Sequence, residues 1–92
     1  MKTFVYPAIF IKDEEDDVYR VLFPDLDITT DGAFMEEAFL YAKEVLKTYF
    51  AYIEKYDLDF NEPTDYEKIK NTCENGDIVM LVDAQLKIKD KD

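Results

Sequence analysis

Apolar and polar positions alternate in blocks along the first third of the chain. Residues 3–11 are rich in β-branched and aromatic side chains, which favours a strand, although Pro7 lies where a central strand would need an N–H group. Strand character resumes over residues 18–23, after an acidic turn, and Pro24 ends it. The pattern predicts a β-hairpin with one irregular position, followed by a short third strand at residues 28–30.

The next block has the spacing of one long amphipathic helix. Its apolar residues recur at intervals of three and four over about five turns: Met35, Ala38, Phe39, Ala42, Val45, Leu46, Tyr49 and Ile53. We expect this face to pack on the sheet and the helix to end by Tyr56, because the turn-rich segment leading to Pro63 cannot continue it. Further apolar side chains widen the surface beyond what one small sheet covers, so a dimer interface is the alternative to core packing for part of this helix. Its candidate residues are Phe39, Leu40, Tyr41, Phe50 and Tyr52.

A shorter helix and a final strand are predicted in the last third. Thr64 and Glu67 have the spacing of a capping box, in which the hydroxyl and the carboxylate accept backbone N–H groups at the start of a helix. Residues 77–84 form a near-continuous apolar run, which predicts a strand that is buried on both faces or inserted between others. Residues 1–86 are therefore interpreted as one α+β domain, followed by a charged tail at residues 87–92 that we expect to fray.

Composition restricts the class of partner. The chain has 92 residues, enough for one domain, and 48% of them are apolar, including seven Tyr and seven Phe, which fits a folded core. Twenty-two acidic residues outnumber eleven basic ones, so the formal charge is −11. Because phosphate binding needs clustered cations, and the cations here are scattered among carboxylates, we expect no direct nucleic-acid binding. A basic protein is the favoured charged partner.

The residue types that carry most enzymatic chemistry are absent or isolated. There is no histidine, the commonest general base. Cys73 is the only cysteine, which excludes an intramolecular disulfide and a Cys-based zinc site, and it lies near the predicted end of a helix, where the dipole does not favour a thiolate. Gly32 and Gly76, the only glycines, cannot build a phosphate-binding loop. We therefore expect no catalytic residue and no cofactor.

The chain is predicted to be cytoplasmic. No apolar run approaches the ~20 residues needed to span a bilayer. Residues 1–7 lack the apolar core and small-residue cleavage site of a secretion signal. We therefore expect no membrane role.

Two acidic segments are candidate contacts for a partner. The first is the hairpin turn, whose residues are Asp13, Glu14, Glu15, Asp16 and Asp17. The second is Asp25, Leu26 and Asp27, where Leu26 would add an apolar anchor. Either segment can instead be a solvated turn, because dense like charges repel and stay hydrated. A metal site at Asp25, Asp27 and Asp31 is disfavoured, since the segment lacks the glycine and the final acidic ligand of a helix–loop–helix calcium site, so no metal is expected.

Several of these segments together resemble the HicB-like antitoxin family. The matching stretches, in order, are residues 6–10, 19–26, 30–32 and 35–42. The most specific part is Phe23-Pro24-Asp25-Leu26, followed by Gly32 and by Glu36-Glu37-Ala38 at the start of the helix. The likeness spans roughly residues 4–84, nearly the whole chain.

The resemblance implies both a function and a fold. Members of the family bind and inhibit a small basic ribonuclease toxin of the HicA type, which cleaves messenger RNA. The implied fold is part of ribonuclease H: three antiparallel strands, a long helix, a short helix and a fourth strand beside the first. The expectation is therefore an antitoxin-like protein that binds a toxin. The apolar width of the long helix separately predicts a homo-oligomer, with a dimer favoured.

Two departures from the family pattern bear on the structure. Asp27-Ile28-Thr29 stands where Pro-Gly-Cys is common, and Ala33-Phe34 replaces the usual Asp-Thr before the helix. The helix therefore lacks a polar N-cap, which ordinarily contributes ~1 kcal/mol, and Asp31 is the predicted substitute. Many members also carry a C-terminal helix-turn-helix or ribbon-helix-helix segment that binds operator DNA. No such segment follows the domain up to Asp92, so we do not expect this role.

Two other functions remain open. A minimal ribonuclease H-like nuclease would hold two metal ions between carboxylates, and that chemistry needs an acidic residue on the first strand, where residues 5–11 contain none. Glu36, Glu37 or Asp83 would then have no partner across the site. The third possibility is an orphan oligomerising domain with another partner, since a resemblance predicts fold better than function.

Overall fold

The computed structural model describes residues 2–74 and 76–87, and it has the predicted order of elements. In chain order these are β1 (Lys2–Asp13), β2 (Val18–Phe23), β3 (Ile28–Gly32), α1 (Met35–Tyr56), α2 (Tyr66–Asn71) and β4 (Ile78–Leu86). The strands form one antiparallel sheet in the order β3-β2-β1-β4. The α+β fold and the position of the last strand beside the first are therefore confirmed. Of the predicted frayed tail, only Lys87 belongs to the described residues.

β1 lies at the centre of the sheet and tolerates Pro7 because its two neighbours pair with it over different lengths. Pairing with β2 extends only as far as Ile9, opposite Leu22. Pairing with β4 runs from Lys2 to Phe10 and includes Pro7 opposite Leu81. Pro7 therefore belongs to one hydrogen-bonded ladder instead of two, and the strand continues through it without the predicted irregular position.

The main core lies between α1 and one face of the sheet. The buried helix positions step mostly by four residues: Ala38, Ala42, Leu46, Phe50 and Ile53. Phe50 was predicted to lie on an outward dimer face, but its side chain is fully buried. Its ring stacks on Phe4 with 3.9 Å between centroids and meets the edge of Phe60 at 5.0 Å. The prediction for Phe50 is wrong because Phe50 lies four positions after Leu46. Both side chains therefore lie on the face of α1 that packs on the sheet.

A smaller core covers part of the other face of the sheet. There Ile69 of α2 packs on Ile9 and Val79, with Leu22 partly buried beside them. β4 was predicted to be buried on both faces or inserted between strands, but it is an edge strand whose side chains alternate between buried and exposed. Its sequence is apolar on both faces because α1 covers one face and α2 covers part of the other.

Both predicted helix caps differ from the structure. The N-cap of α1 is Phe34, which makes no side-chain cap, and Glu37 accepts the N–H of Ala33 at 2.7 Å. Asp31 is not the substitute cap, because its carboxylate lies 3.4 Å from the guanidinium of Arg20. The capping box at Thr64 is also wrong. α2 begins after Asp65 without a side-chain cap.

Candidate partner-binding surface

The tip of the β1–β2 hairpin is held in shape by Asp13. One carboxylate oxygen of Asp13 accepts the backbone N–H groups of Glu15 at 3.0 Å and Asp16 at 3.2 Å. Asp17 closes the turn with a left-handed backbone, φ 54°, a conformation that Asp adopts more readily than most residues. Asp13 therefore orders the turn instead of standing free for a partner.

Arg20 ties this turn to the third strand. Its guanidinium donates to Asp13 at 2.9 Å and to Asp16 at 2.7 Å, and it lies 3.4 Å from Asp31 on β3. A separate ion pair joins Lys12 to Asp17 at 2.7 Å. The surface pairs contribute little stability individually, but several charges in one network restrict the conformations of the turn.

These contacts lower the pKa of two carboxyl groups in the turn. The N–H of Asp16 and the guanidinium of Arg20 hold the pKa of Asp13 below its usual value. The Lys12 ammonium does the same for the pKa of Asp17. Both carboxylates therefore remain ionised to a lower pH than isolated ones.

Glu14 and Glu15 are the free charges of the hairpin tip. Both side chains are exposed, and neither takes part in a salt bridge within the described ranges. They extend from a turn whose backbone Asp13 and Arg20 already hold in place. They can therefore contact a cationic partner without first breaking an internal ion pair.

The second acidic segment lies at the other end of β2 and is partly internal. The carboxylate of Asp25 accepts the N–H of Thr64 at 2.9 Å and also its hydroxyl, and the carbonyl of Asp25 accepts the Asn61 side chain at 2.9 Å. Leu26 is 7% exposed and belongs to the core, so it cannot be the apolar anchor that the sequence suggested. Asp27 is the exposed member of this segment, with a left-handed φ of 56°.

A shallow groove of about 310 Å³ beside this segment was not predicted. Three aspartates, Asp25, Asp27 and Asp59, line this depression together with the partly buried rings of Tyr49 and Phe60. Carboxylates with aromatic faces suit a Lys or Arg side chain. The signal was weak in the sequence because Asp59 and Phe60 lie in a turn-rich segment whose path the pattern does not predict.

The two acidic segments do not form one patch. They flank β2, which runs from Val18 to Phe23 and places them roughly 17 Å or more apart. A partner that touches both must extend along the whole strand. They are therefore two separate candidate contacts.

The outer face of α1 keeps part of the predicted dimer surface. Leu40, Tyr41 and Tyr52 are exposed. Phe39 is half-buried, and its ring stacks near Phe10 at 6.4 Å. Tyr56, which the prediction omitted, lies 4.8 Å from the ring of Tyr52.

The described residues form neither a metal-binding cluster nor a membrane-spanning helix. Across residues 2–74 and 76–87, no three Cys, Asp or Glu side chains are grouped closely enough to hold a metal ion. No helix in those ranges is long and apolar enough to cross a membrane.

Comparison with known proteins supports the fold. No protein-family profile and no curated protein matches the chain. Among solved structures, a chain of the "Toxin-Antitoxin complex from Streptococcus pneumoniae" is similar, with a TM-score of 0.77 over 98% of this chain and 80% of that chain. The two share a fold. Their sequences are 22% identical.

The similarity to the chain from the Streptococcus pneumoniae complex extends over nearly the whole fold. The similarity covers 98% of the present chain, whose elements run from Lys2 to Leu86. The hairpin tip and the groove at Asp27 therefore lie on a shared scaffold. Identity at 22% leaves the side chains on that scaffold to be interpreted from this chain alone.

Proposed function

We propose that this protein is an antitoxin-like inhibitor that binds a small basic ribonuclease of the HicA type. The observation that carries the proposal is the pre-ordered acidic hairpin, in which Asp13 and Arg20 hold the turn while Glu14 and Glu15 stay free. The fold shared with a chain of a toxin–antitoxin complex and the resemblance to HicB-like antitoxins support the same class.

Opposite charges accelerate the encounter between this protein and the ribonuclease. A ribonuclease that grips RNA presents cations, and a protein of formal charge −11 attracts them over a distance of about a Debye length. Because the hairpin turn is already ordered, little conformational entropy is lost when a cationic surface docks on it. The exposed carboxylates at the tip then act mainly on the association rate.

An apolar contact is also needed, because rim charges contribute mostly rate and buried contacts set residence time. Leu26 cannot supply it, since it lies in the core. The groove beside Asp27 offers Tyr49 and Phe60 instead, next to the carboxylate of Asp59. We assign this groove as the second contact, for a Lys or Arg side chain of the ribonuclease.

Surface plasmon resonance with a purified small basic ribonuclease of the HicA type tests the proposal. The double variant Glu14→Gln, Glu15→Gln should associate roughly three- to tenfold more slowly at low salt, with a dissociation rate within about twofold of wild type. Asp27→Asn should instead act mainly on dissociation. Salt should slow association of the wild type and should affect the double variant less.

The matched control removes two charges elsewhere. Glu67→Gln combined with Glu74→Gln changes the net charge equally, at exposed positions on and after α2. If this control slows association as much as the hairpin variant does, the effect belongs to the net charge and the hairpin is not a contact. Absence of any binding would favour an orphan domain of the same fold with another partner.

Inhibition is a separate readout. Addition of the purified chain to the ribonuclease should abolish cleavage of messenger RNA at a one-to-one ratio of chains. The chain alone, with magnesium or manganese, should cleave neither RNA nor an RNA–DNA hybrid. Metal-dependent cleavage lost in Asp83→Asn would instead favour the nuclease alternative.

A further inference from the structure

The two edges of the sheet differ in how well they are protected from pairing. β3 is five residues long and carries Thr29 and Asp31 on an exposed face. β4 is nine residues long, and Asp83 is its only charged residue. Within residues 2–74 and 76–87, no strand pairs with the outer edge of β4. A long apolar edge strand without Lys or Pro is a template for another strand.

Apolar side chains continue from this edge onto both sides of the sheet. Ile78 and Leu81 of β4 are 43% and 53% exposed. On the helix side, a groove of about 370 Å³ is lined mainly by Met35, Phe39, Leu40 and Met80. The edge therefore combines free backbone groups with apolar surface, the two components of strand addition.

The charge beside β4 indicates which partner fits. A second groove, of about 640 Å³, is lined by three lysines and two carboxylates, namely Lys43, Lys47, Lys87, Glu44 and Asp83. Lys43 pairs with Asp83 at 3.2 Å, so the groove carries one net positive charge on a chain of formal charge −11. A basic ribonuclease finds little attraction here. In a two-fold contact this groove faces its own copy, and its mixed signs allow lysines of one copy to lie opposite carboxylates of the other.

We propose that β4 pairs antiparallel with β4 of a second copy across a two-fold axis, so that two four-stranded sheets form one sheet of eight strands. This inference does not depend on the ribonuclease. It moves self-association from the outer face of α1 to the edge of the sheet, and it leaves the acidic hairpin outside the interface because β4 pairs with β1 only as far as Phe10.

Light scattering on the full chain at roughly 100 µM tests the proposal. Wild type should have twice the mass of the 10.9 kDa chain. Leu81→Lys should weaken dimerisation at least tenfold, because it places a charge on the apolar edge. Tyr52→Lys is the matched control, since its side chain is equally exposed on the outer face of α1 and the charge change is the same. It should remain dimeric.

Hydrogen exchange supplies a direct readout of strand pairing. On raising the concentration, exchange should slow in residues 78–86 and stay unchanged in β3, which serves as the internal control. Circular dichroism checks that Leu81→Lys is folded. If it is not, Ile78→Lys, at the other exposed apolar position of β4, replaces it and should also give monomers.

Several outcomes would overturn the proposal. They are a mass near 10.9 kDa for wild type, dissociation by Tyr52→Lys with Leu81→Lys intact, and unchanged exchange in residues 78–86. The salt dependence of the affinity distinguishes this proposal from toxin binding. Dimerisation of two acidic chains should strengthen as salt screens their repulsion, whereas association with a basic ribonuclease should weaken.

Discussion

Asp25 and Thr64 are 39 residues apart in the chain, and the two hydrogen-bond donors of Thr64 both bind the carboxylate of Asp25. The backbone N–H of Thr64 donates to one oxygen of Asp25 at 2.9 Å, and the Thr64 hydroxyl donates to the other oxygen. This contact ties the turn after β2 to the segment between the two helices. Asp25 therefore has a structural role, and Asp27 is the exposed acidic residue of that turn.

The Asp25 carboxylate should therefore be important for stability. Asp25→Asn is expected to lower the free energy of unfolding by about 1–2 kcal/mol, because a charged acceptor of two hydrogen bonds becomes a neutral one with a single good acceptor. Asp27→Asn is the matched control and should stay within about 0.5 kcal/mol of wild type. Urea unfolding followed by circular dichroism measures both. Equal effects in the two variants would show that the Thr64 contact is not stabilising.

The order of elements was predictable because its signals are local. Alternating and helical spacing is visible within each segment, and the residues that end the segments, such as Pro24 and Pro63, act on their immediate neighbours. The place of β4 beside β1 has no such local signal. It came from the family resemblance.

The errors have a different cause, which is tertiary packing that the local pattern does not reveal. Thr64 looked like a cap because the capping motif is local, but its partner Asp25 lies in a turn far away in sequence. Leu26 looked exposed between two aspartates. Its N–H bonds the carbonyl of Phe23 at 3.1 Å, and the turn places the Leu26 side chain in the core. For Phe50, only the position of the sheet decides which ring-bearing face of α1 is buried.

Gly32 should tolerate no side chain. A Cβ at this position would lie 2.7 Å from Cα of Ala38 and 2.9 Å from the carbonyl carbon of Glu37, both backbone atoms at the start of α1. Gly32→Ala is expected to lower the free energy of unfolding by about 1–3 kcal/mol, since the helix must shift. Gly76→Ala is the comparison, because a Cβ there meets nothing within 4 Å and only the φ of 98° opposes it. A smaller loss in Gly32→Ala than in Gly76→Ala, measured in urea, would contradict the close packing.

Asp57 offers a site for stabilisation. It ends α1 in the left-handed conformation, φ 52°, and its N–H bonds the carbonyl of Ile53. Glycine adopts this conformation without strain, and removal of a negative charge favours the carboxyl end of a helix. Asp57→Gly should raise the free energy of unfolding by about 0.5–1 kcal/mol. Asp59→Gly, which removes the same charge at a position without positive φ, should give no gain, and a gain in both variants would assign the effect to charge alone.

Tyr6 should make stability depend on alkaline pH. Its ring is 2% exposed, and its hydroxyl donates to the carbonyl of Asn61 at 2.6 Å. Burial, together with the nearby carboxylates of Glu62 and Asp25, raises the pKa of Tyr6 to about 12 from its ordinary value of 10.0. The folded state therefore keeps this proton over a range in which the unfolded chain has already released it.

The sign of the effect follows from the proton balance. Below pH 10 the folded and unfolded states both hold the Tyr6 proton, so its contribution to stability is complete. As pH rises from 10 to about 12, only the unfolded state releases the proton, and the free energy of unfolding falls. Tyr6→Phe should cost about 1 kcal/mol at neutral pH through the lost hydrogen bond, and this deficit should shrink as pH rises through the same interval.

Urea unfolding at a series of pH values from neutral to strongly alkaline measures that difference. Tyr52→Phe makes the same chemical change on an exposed ring and should follow wild type throughout. The free energy of wild type minus that of Tyr6→Phe is the quantity to plot, because the other tyrosines contribute equally to both curves and cancel. A difference that stays constant from pH 10 to 12 would mean that the Tyr6 hydroxyl titrates alike in both states, and the Asn61 contact would then be open to water.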